Sequence, residues 1–331
     1  MSETLASSLR QDNPGAGHLG PNQRAWRRFQ RNRPALISLL FLLGLLALVG
    51  SWPVMLNVAA RGGARSAAWA EHLQPDRLSN DQFRPPTLAH LCGTDVHGRD
   101  LFSRILFGAQ VSLLVGFVGA GISLVIGVLW GAIAGYVGGR TDGWMMRTVD
   151  VFYSLPSIIF VIVLVTTLEG GLKRVVMAFG IGSTDLTARL LLLVIGLGAV
   201  SWLTMARIVR GQVLTLRARP FVDASRALGA GPVRILFQHI IPNTLGIIIT
   251  YLMLTIPGII LYESFLSYLG LGVEPPMASW GLLIAEGADQ INPLRIYWWL
   301  IVFPAVFLVS TLLALNLVGD GLRDAWDVRA D

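Results

Sequence analysis

Val111 to Val137, VSLLVGFVGAGISLVIGVLWGAIAGYV, runs for 27 residues without an Asp, Glu, Lys or Arg. At ~1.5 Å per helical residue it is long enough to cross a hydrocarbon core ~30 Å thick. Five more charge-free stretches read the same way: Ala35 to Leu56, Val151 to Leu168, Leu190 to Ala206, Thr244 to Tyr262 and Ile296 to Val318. The expected fold is an all-α integral membrane protein with six transmembrane helices. The first stretch exceeds the ~7–15 apolar residues of a signal peptide and lacks a convincing small-x-small cleavage site, so it reads as retained. Within 111–137, Gly127, Gly131 and Gly135 recur every four residues and share one helix face. Such a face lets a neighbouring backbone approach closely, and a pore-lining stripe is the other reading. Pro156, Pro257 and Pro304 lie inside spans, where each removes a backbone hydrogen bond and can place a kink.

Composition agrees with the spans. Of 331 residues, 53% are hydrophobic and 14% charged, with a net charge of +6. Disorder requires low hydrophobicity and high net charge, so it is excluded, and a nucleic-acid role falls with it. Among the 26 basic side chains the single lysine is Lys173, between Leu172 and Arg174. A P-loop needs Gly-x-x-x-x-Gly-Lys-Ser/Thr so that backbone amides and the ammonium hold phosphates, hence the chain has no site of this type for ATP. One cysteine, Cys92, permits neither an intramolecular disulfide nor a cysteine metal cluster and reads as a small apolar residue.

Basic residues mark the cytoplasmic side of membrane helices, and Arg24, Arg27, Arg28, Arg31 and Arg33 abut the first span. Alternating sides from there puts 16 basic residues inside and 10 outside. Both termini are expected in the cytoplasm, with a tail at 1–34, a first span at 35–56, an external loop at 57–109 and a core at 110–331. The short external loop Glu169 to Arg189 carries Lys173, Arg174 and Arg189 and fits the charge rule least well.

Between the fourth and fifth spans, Arg207 to Asn243 contains six Arg and one acid, Asp223, and is too polar to span. Its pattern is nonetheless helical. Val233, Leu236, Phe237, Ile240 and Ile241 fall at i, i+3, i+4, i+7 and i+8, an apolar stripe opened by Pro232 and expected to end at Pro242. Upstream, Phe221, Ala224, Ser225 and Leu228 make a shorter stripe that Gly229 closes as a C-terminal cap. Two short helices thus meet at Gly229-Ala230-Gly231. Periodicity leaves open whether this elbow engages a cytoplasmic machine or lies on lipid with its Arg at the headgroups.

The elbow resembles the EAA loop of binding-protein-dependent ABC importer permeases, whose pattern is Glu-Ala-Ala, three residues, Gly, nine residues, then Ile-x-Leu-Pro. Here it reads Asp223-Ala224-Ser225, Gly229 and His239-Ile240-Ile241-Pro242, with both spacings kept. Further stretches are similar to the C-type permeases of oligopeptide, dipeptide and nickel importers. They include Gly93-Thr94-Asp95, Gly98-Arg99-Asp100, Ser103-Arg104, Leu269-Gly270-Leu271-Gly272, Ser279-Trp280-Gly281 and Asn316 to Asp324. The resemblance implies a type I importer permease fold in the inner membrane, with cytoplasmic coupling helices at 220–242. It also implies a homologous B-type permease partner, two ABC ATPase subunits or domains that use ATP and Mg²⁺, and an external substrate-binding protein. Asp223, Ala224, Ser225, Leu228, Gly229, Val233, Leu236, Phe237 and Pro242 become the expected ATPase-coupling residues. A peptide cargo follows at family level, with nickel or another small solute as the alternative.

Simpler readings accompany these motifs. Thr94 and Asp95 suit a helix cap before Leu101, and His239 has no His, Cys or carboxylate at metal-ligand spacing beside it. No catalytic set and no metal site is expected. An ion-coupled carrier would keep ionisable groups near mid-bilayer, whereas all six charge-free spans lack Asp, Glu, Lys and Arg. Glu263, just past the fifth span, is the candidate translocation-path residue: it either lines an external vestibule or ends its helix.

Overall fold

The computed structural model describes residues 21–178 and 185–326. Twelve helices are described: α1 (Pro21–Arg31), α2 (Arg33–Ala60), α3 (Ala64–His72), α4 (Leu101–Val137), α5 (Gly139–Tyr153), α6 (Ser157–Ala178), α7 (Asp185–Arg217), α8 (Pro220–Ala227), α9 (Pro232–Ile235, continued by a π-turn at Leu236–Ile240), α10 (Ile241–Tyr268), α11 (Trp280–Ala288) and α12 (Trp299–Trp326). Five are long and apolar enough to cross a membrane, and six spans result if the bent pair α5 and α6 counts as one.

That bent pair corrects the third expected span. Val151 to Leu168 is not a straight rod, because α5 and α6 meet at 87° around Ser154–Pro156. Pro156 lacks an N–H and pushes the residue before it out of the helical region, so the chain turns there. Helix ends also outrun the charge-free stretches. α4 begins at Leu101, inside the expected external loop, because Asp100 caps it by accepting the Ser103 N–H at 2.8 Å. The cap expected from Thr94 and Asp95 therefore belongs to Asp100. α7 continues past Ala206 to Arg217, so the expected loop from Arg207 starts as transmembrane-helix extension. Of the external loop Glu169 to Arg189, α6 and α7 take the two flanks, and 179–184 lie outside the described residues.

α4 lies along α7 over most of its length. A Cβ on Gly127 would meet the Trp202 carbonyl at 2.9 Å, and one on Gly135 the Arg210 carbonyl at 2.8 Å. Gly131 meets the Ala206 carbonyl more closely still. The glycine stripe is thus the seat of α7 on α4, with backbones close enough for side chains on either side to interlock. α10 packs beside both, α12 beside α10, and α2 sits at the periphery against α12. One apolar core runs between α4, α10, α11 and α12 around Trp280, and a smaller one joins α7 to the elbow through Val209, Val213, Val222, Ile235, Leu236 and Ile240.

Candidate translocation groove and coupling elbow

The elbow is built by its own backbone. Gly229 has φ +82°, its N–H reaches the Arg226 carbonyl at 2.9 Å, and the Ala230 N–H reaches the Ser225 carbonyl at 3.0 Å. This is a Schellman closure, which needs the left-handed conformation that glycine adopts without strain. After Gly231 the chain re-enters a helix at Pro232, and here two expectations need correcting. Pro242 does not end the helix. The Ile241 N–H reaches back five residues to Leu236, a widened turn, and Pro242 then sits in the first turn of α10, where its missing N–H has no cost. The apolar stripe is also split. Leu236 and Ile240 face the smaller core together with Ile235, which the stripe had omitted, whereas Val233 and Phe237 are 69% and 51% exposed. The π-turn shifts the register, so one stripe of period 3.6 becomes two faces.

The remaining expected coupling residues lie on the same outer side. Leu228 at the apex is 89% exposed, Phe221 and Ala224 are exposed, and Asp223 pairs with Arg226 at 3.2 Å. The Ser225 hydroxyl is half-buried and donates to the Phe221 carbonyl at 2.8 Å. The elbow is held to the bundle through its apolar face, and α7, which leads into it, is held by polar contacts. Arg217 donates to the Gly135 and Tyr136 carbonyls at 3.2 and 2.9 Å, while Arg210 grips Asp142 through two hydrogen bonds at 2.5 and 2.6 Å. These charge-assisted bonds join α7 to the end of α4 and to α5, so the helix that leads into α8 is anchored on two others.

Above the elbow, two open cavities share Tyr251. The first, about 490 Å³, lies between the α5–α6 bend, α7 and α10, and its polar lining is hydroxyl: Tyr153, Ser157, Ser201, Thr204, Tyr251, Thr255 and Tyr262. The second, about 610 Å³, lies toward the elbow and adds Arg207, Gln212 and Arg323. Ser201 and Thr255 donate back to the Leu197 and Tyr251 carbonyls of their own helices, and Tyr153 pairs with Thr204 at 2.9 Å, so these donors are engaged while their oxygens still present acceptor lone pairs to the cavity. Sequence reading missed this groove. Its signal was available in Tyr251, Thr255, Gly258 and Tyr262, spaced i, i+4, i+7 and i+11 along one side of an apolar helix.

Glu263 is not part of that groove. Its side chain is 0% exposed and accepts from Ser112 of α4 at 2.9 Å and from Ser267 at 2.7 Å. α10 runs on to Tyr268, so Glu263 neither lines a vestibule nor ends its helix in this conformation. Its serines in turn accept the Trp280 and Val273 N–H groups at 3.3 and 3.0 Å, which seats α11 against α4 and α10.

The opposite end of α4 is a closed polar knot. Arg104, 1% exposed, donates to Asp95 at 2.9 Å and to Glu286 of α11 at 2.5 Å, and Arg99 completes the set on Asp95 at 2.7 Å. Nearby, His90 Nδ1 lies 2.9 Å from Asp100, whose carboxyl burial pushes above the usual carboxylate range, against the opposing pull of the Ser103 N–H and His90. Burial, reinforced by the Asp100 charge, pushes the Cys92 thiol up to about 12.

A family described as "Binding-protein-dependent transport system inner membrane component" matches residues 127–331, and "N-terminal TM domain of oligopeptide transport permease C" matches residues 20–59. The chain is 42% identical over 307 residues to the oligopeptide transport system permease protein OppC of Haemophilus influenzae, covering 92% of this chain and 88% of that one. The chain belongs to this permease family. The permease is also 39% identical to the dipeptide transport system permease protein DppC of Bacillus subtilis, over 93% of this chain and 86% of the relative. Oligopeptide permease OppC of Escherichia coli K12 is 40% identical, over 92% and 90%. Among solved structures, a chain of the inward-facing MetNI methionine ABC transporter superposes with a TM-score of 0.50 at 20% identity, covering 66% of this chain and 94% of that one. The likeness shows the type I importer permease fold. The protein is therefore a multi-pass inner-membrane permease component of an ABC import system.

Proposed function

We propose that this permease forms half of a peptide pathway, pairs with a homologous permease, and is driven by two separate ATPase subunits or domains docked on its elbow, with an external binding protein delivering cargo. Both termini then lie in the cytoplasm, and ATP with Mg²⁺ is used by the partners alone. The observation that carries this reading is the split elbow. Leu236, Ile235 and Ile240 fix it to the bundle, leaving Phe221, Leu228, Val233 and Phe237 as an outward apolar face on a rigid, glycine-capped turn. Peptide as cargo is supported by the oligopeptide and dipeptide permeases at about 40% identity over most of the chain. A charge-poor, hydroxyl-lined groove suits it as well, because hydroxyls pair with the backbone amides common to all peptides.

The test is purification of the complex from its host, with Phe237→Asp as the probe. Vanadate-sensitive ATP hydrolysis is expected to follow the assembled complex and to be lost when Phe237→Asp releases the ATPases. Hydrolysis by the isolated polypeptide, or full retention of the ATPases by the variant, overturns the division of labour.

A further inference from the structure

The hydroxyl-lined cavity and the cavity below it differ in one respect that bears on what passes through them. The upper one carries no ionisable side chain except tyrosine, whereas the lower one is lined by two guanidiniums, Arg207 and Arg323, and by no carboxylate. A solute moving along the groove toward the elbow meets charged lining side chains for the first time there, and both are cations. Arg323 makes no ion pair among the described residues. Arg207 is paired with Asp150 of α5, which is not among the lining residues and takes one N–H at 2.7 Å, and the guanidinium lies over the Tyr153 ring at 4.0 Å. A guanidinium has five N–H donors in a planar fork, so most of Arg207 remains available. The Gln212 amide, the Tyr251 hydroxyl and the Trp326 indole line the same cavity. Planar cations beside neutral donors, with no competing acid in the lining, are the chemistry that binds a carboxylate in two-pronged fashion.

We propose that Arg207 and Arg323, with Gln212 and Tyr251, form an exit station that holds the C-terminal carboxylate of the transported peptide while its backbone still occupies the hydroxyl-lined section. The inference rests on the peptide reading above and assigns it a polarity. The two cavities, about 490 and 610 Å³, are each within the ~300–1,000 Å³ of ordinary ligand sites and together accommodate a short peptide. The station explains why the groove is basic only at this end: a weak, local hold on an anion draws the peptide downward without trapping it along its whole length. A lipid headgroup presents similar anionic oxygens, and the experiment separates the two sources.

The experiment is saturation-transfer NMR on the nucleotide-free permease–ATPase complex in nanodiscs, probed with trialanine, trialanine amide and acetate. Trialanine is expected to show at least five-fold stronger contact than its amide. Arg207→Gln with Arg323→Gln should bring trialanine down to the level of the amide and leave the amide unchanged. Arg323→Gln alone, which removes no ion pair among the described residues, should give a partial loss that Arg323→Lys restores only in part, because an ammonium keeps the charge but not the planar fork, and it serves if the double variant does not assemble. Equal contact by acid and amide, or no change in either variant, overturns the station. So does an effect of the variants that disappears when phosphatidylglycerol is replaced by phosphatidylcholine, since the arginines then serve lipid. Contact by acetate but not by trialanine leaves the anion station standing and removes the peptide reading instead.

Discussion

The two ends of α4 and their neighbours handle charge in opposite ways. At the 90–104 end, Arg104 is held by Asp95 and Glu286, and Glu263 is sealed among serines. At the elbow end the ion pairs are half-exposed, and apolar side chains point outward. A buried ion set fixes one arrangement because losing a partner strands a charge. A rigid turn with an open apolar face is instead incomplete until something covers it. The first end sets where α11 and the 73–100 segment sit; the second leaves an apolar face uncovered within the described residues.

Breaking the sealed end should have the largest effect. Arg104→Met leaves Asp95 and Glu286 with Arg99 as their one shared cation and opens a gap where the buried guanidinium sat, and is expected to cost about 3 kcal/mol, seen as a lowered Tm and poor yield in detergent. Tolerance of this change would mean that the knot is solvated and the contrast between the ends is false. The next effect is chemical. With the Cys92 thiol pushed up to about 12, its alkylation at pH 8 should run about a thousandfold slower than that of a free thiol and rise with pH through the intervening range. The sign follows from the protonated form being favoured by the fold, so the contribution of Cys92 to stability is present below pH ~9 and lost as pH climbs above it. Rapid maleimide labelling of native protein would show that the segment around Cys92 opens.

At the elbow the effects should divide by face. Leu236→Ala, facing the smaller core, is expected to lower chain stability by about 2–4 kcal/mol. Phe237→Asp should leave stability within about 0.5 kcal/mol of the parent while weakening ATPase attachment by about 1.5–3 kcal/mol, read as co-purification. Equal loss of Tm in both variants would join the two faces again. The smallest effect belongs to Gly229→Val. No atom lies within 4 Å of an added Cβ there, so the cost is backbone strain at φ +82°, about 1–2 kcal/mol, seen as reduced coupling of ATP hydrolysis to uptake with the spans inserted.

Much of this protein was legible before its structure, where the determining forces are local. Charge-free length dictates a membrane helix because unpaired charge and unsatisfied backbone are costly in lipid, and the six stretches match the five long helices and the bent pair. Gly229 was readable because a left-handed helix end is set by one residue. The family was readable because its motifs are short and ordered. Facing was not legible. The stripe over Val233 to Ile241 could not show that a π-turn would split it, since periodicity identifies a side of a helix but not its neighbour. Arg207 read as loop because charge was weighed without the α5 carboxylates, Asp142 and Asp150, that carry α7 onward beside it. Glu263 read as a vestibule residue or a helix end for a related reason: Ser267, four residues on, belongs to its own helix, but Ser112 of α4, which closes over it, is 151 residues away in the chain. The sequence alone thus determined the membrane class, the spans, the elbow and the family, all of which depend on neighbours along the chain. Only the tertiary structure decided which groups are sealed and which remain open to cargo or partner, because burial is a property of what packs alongside.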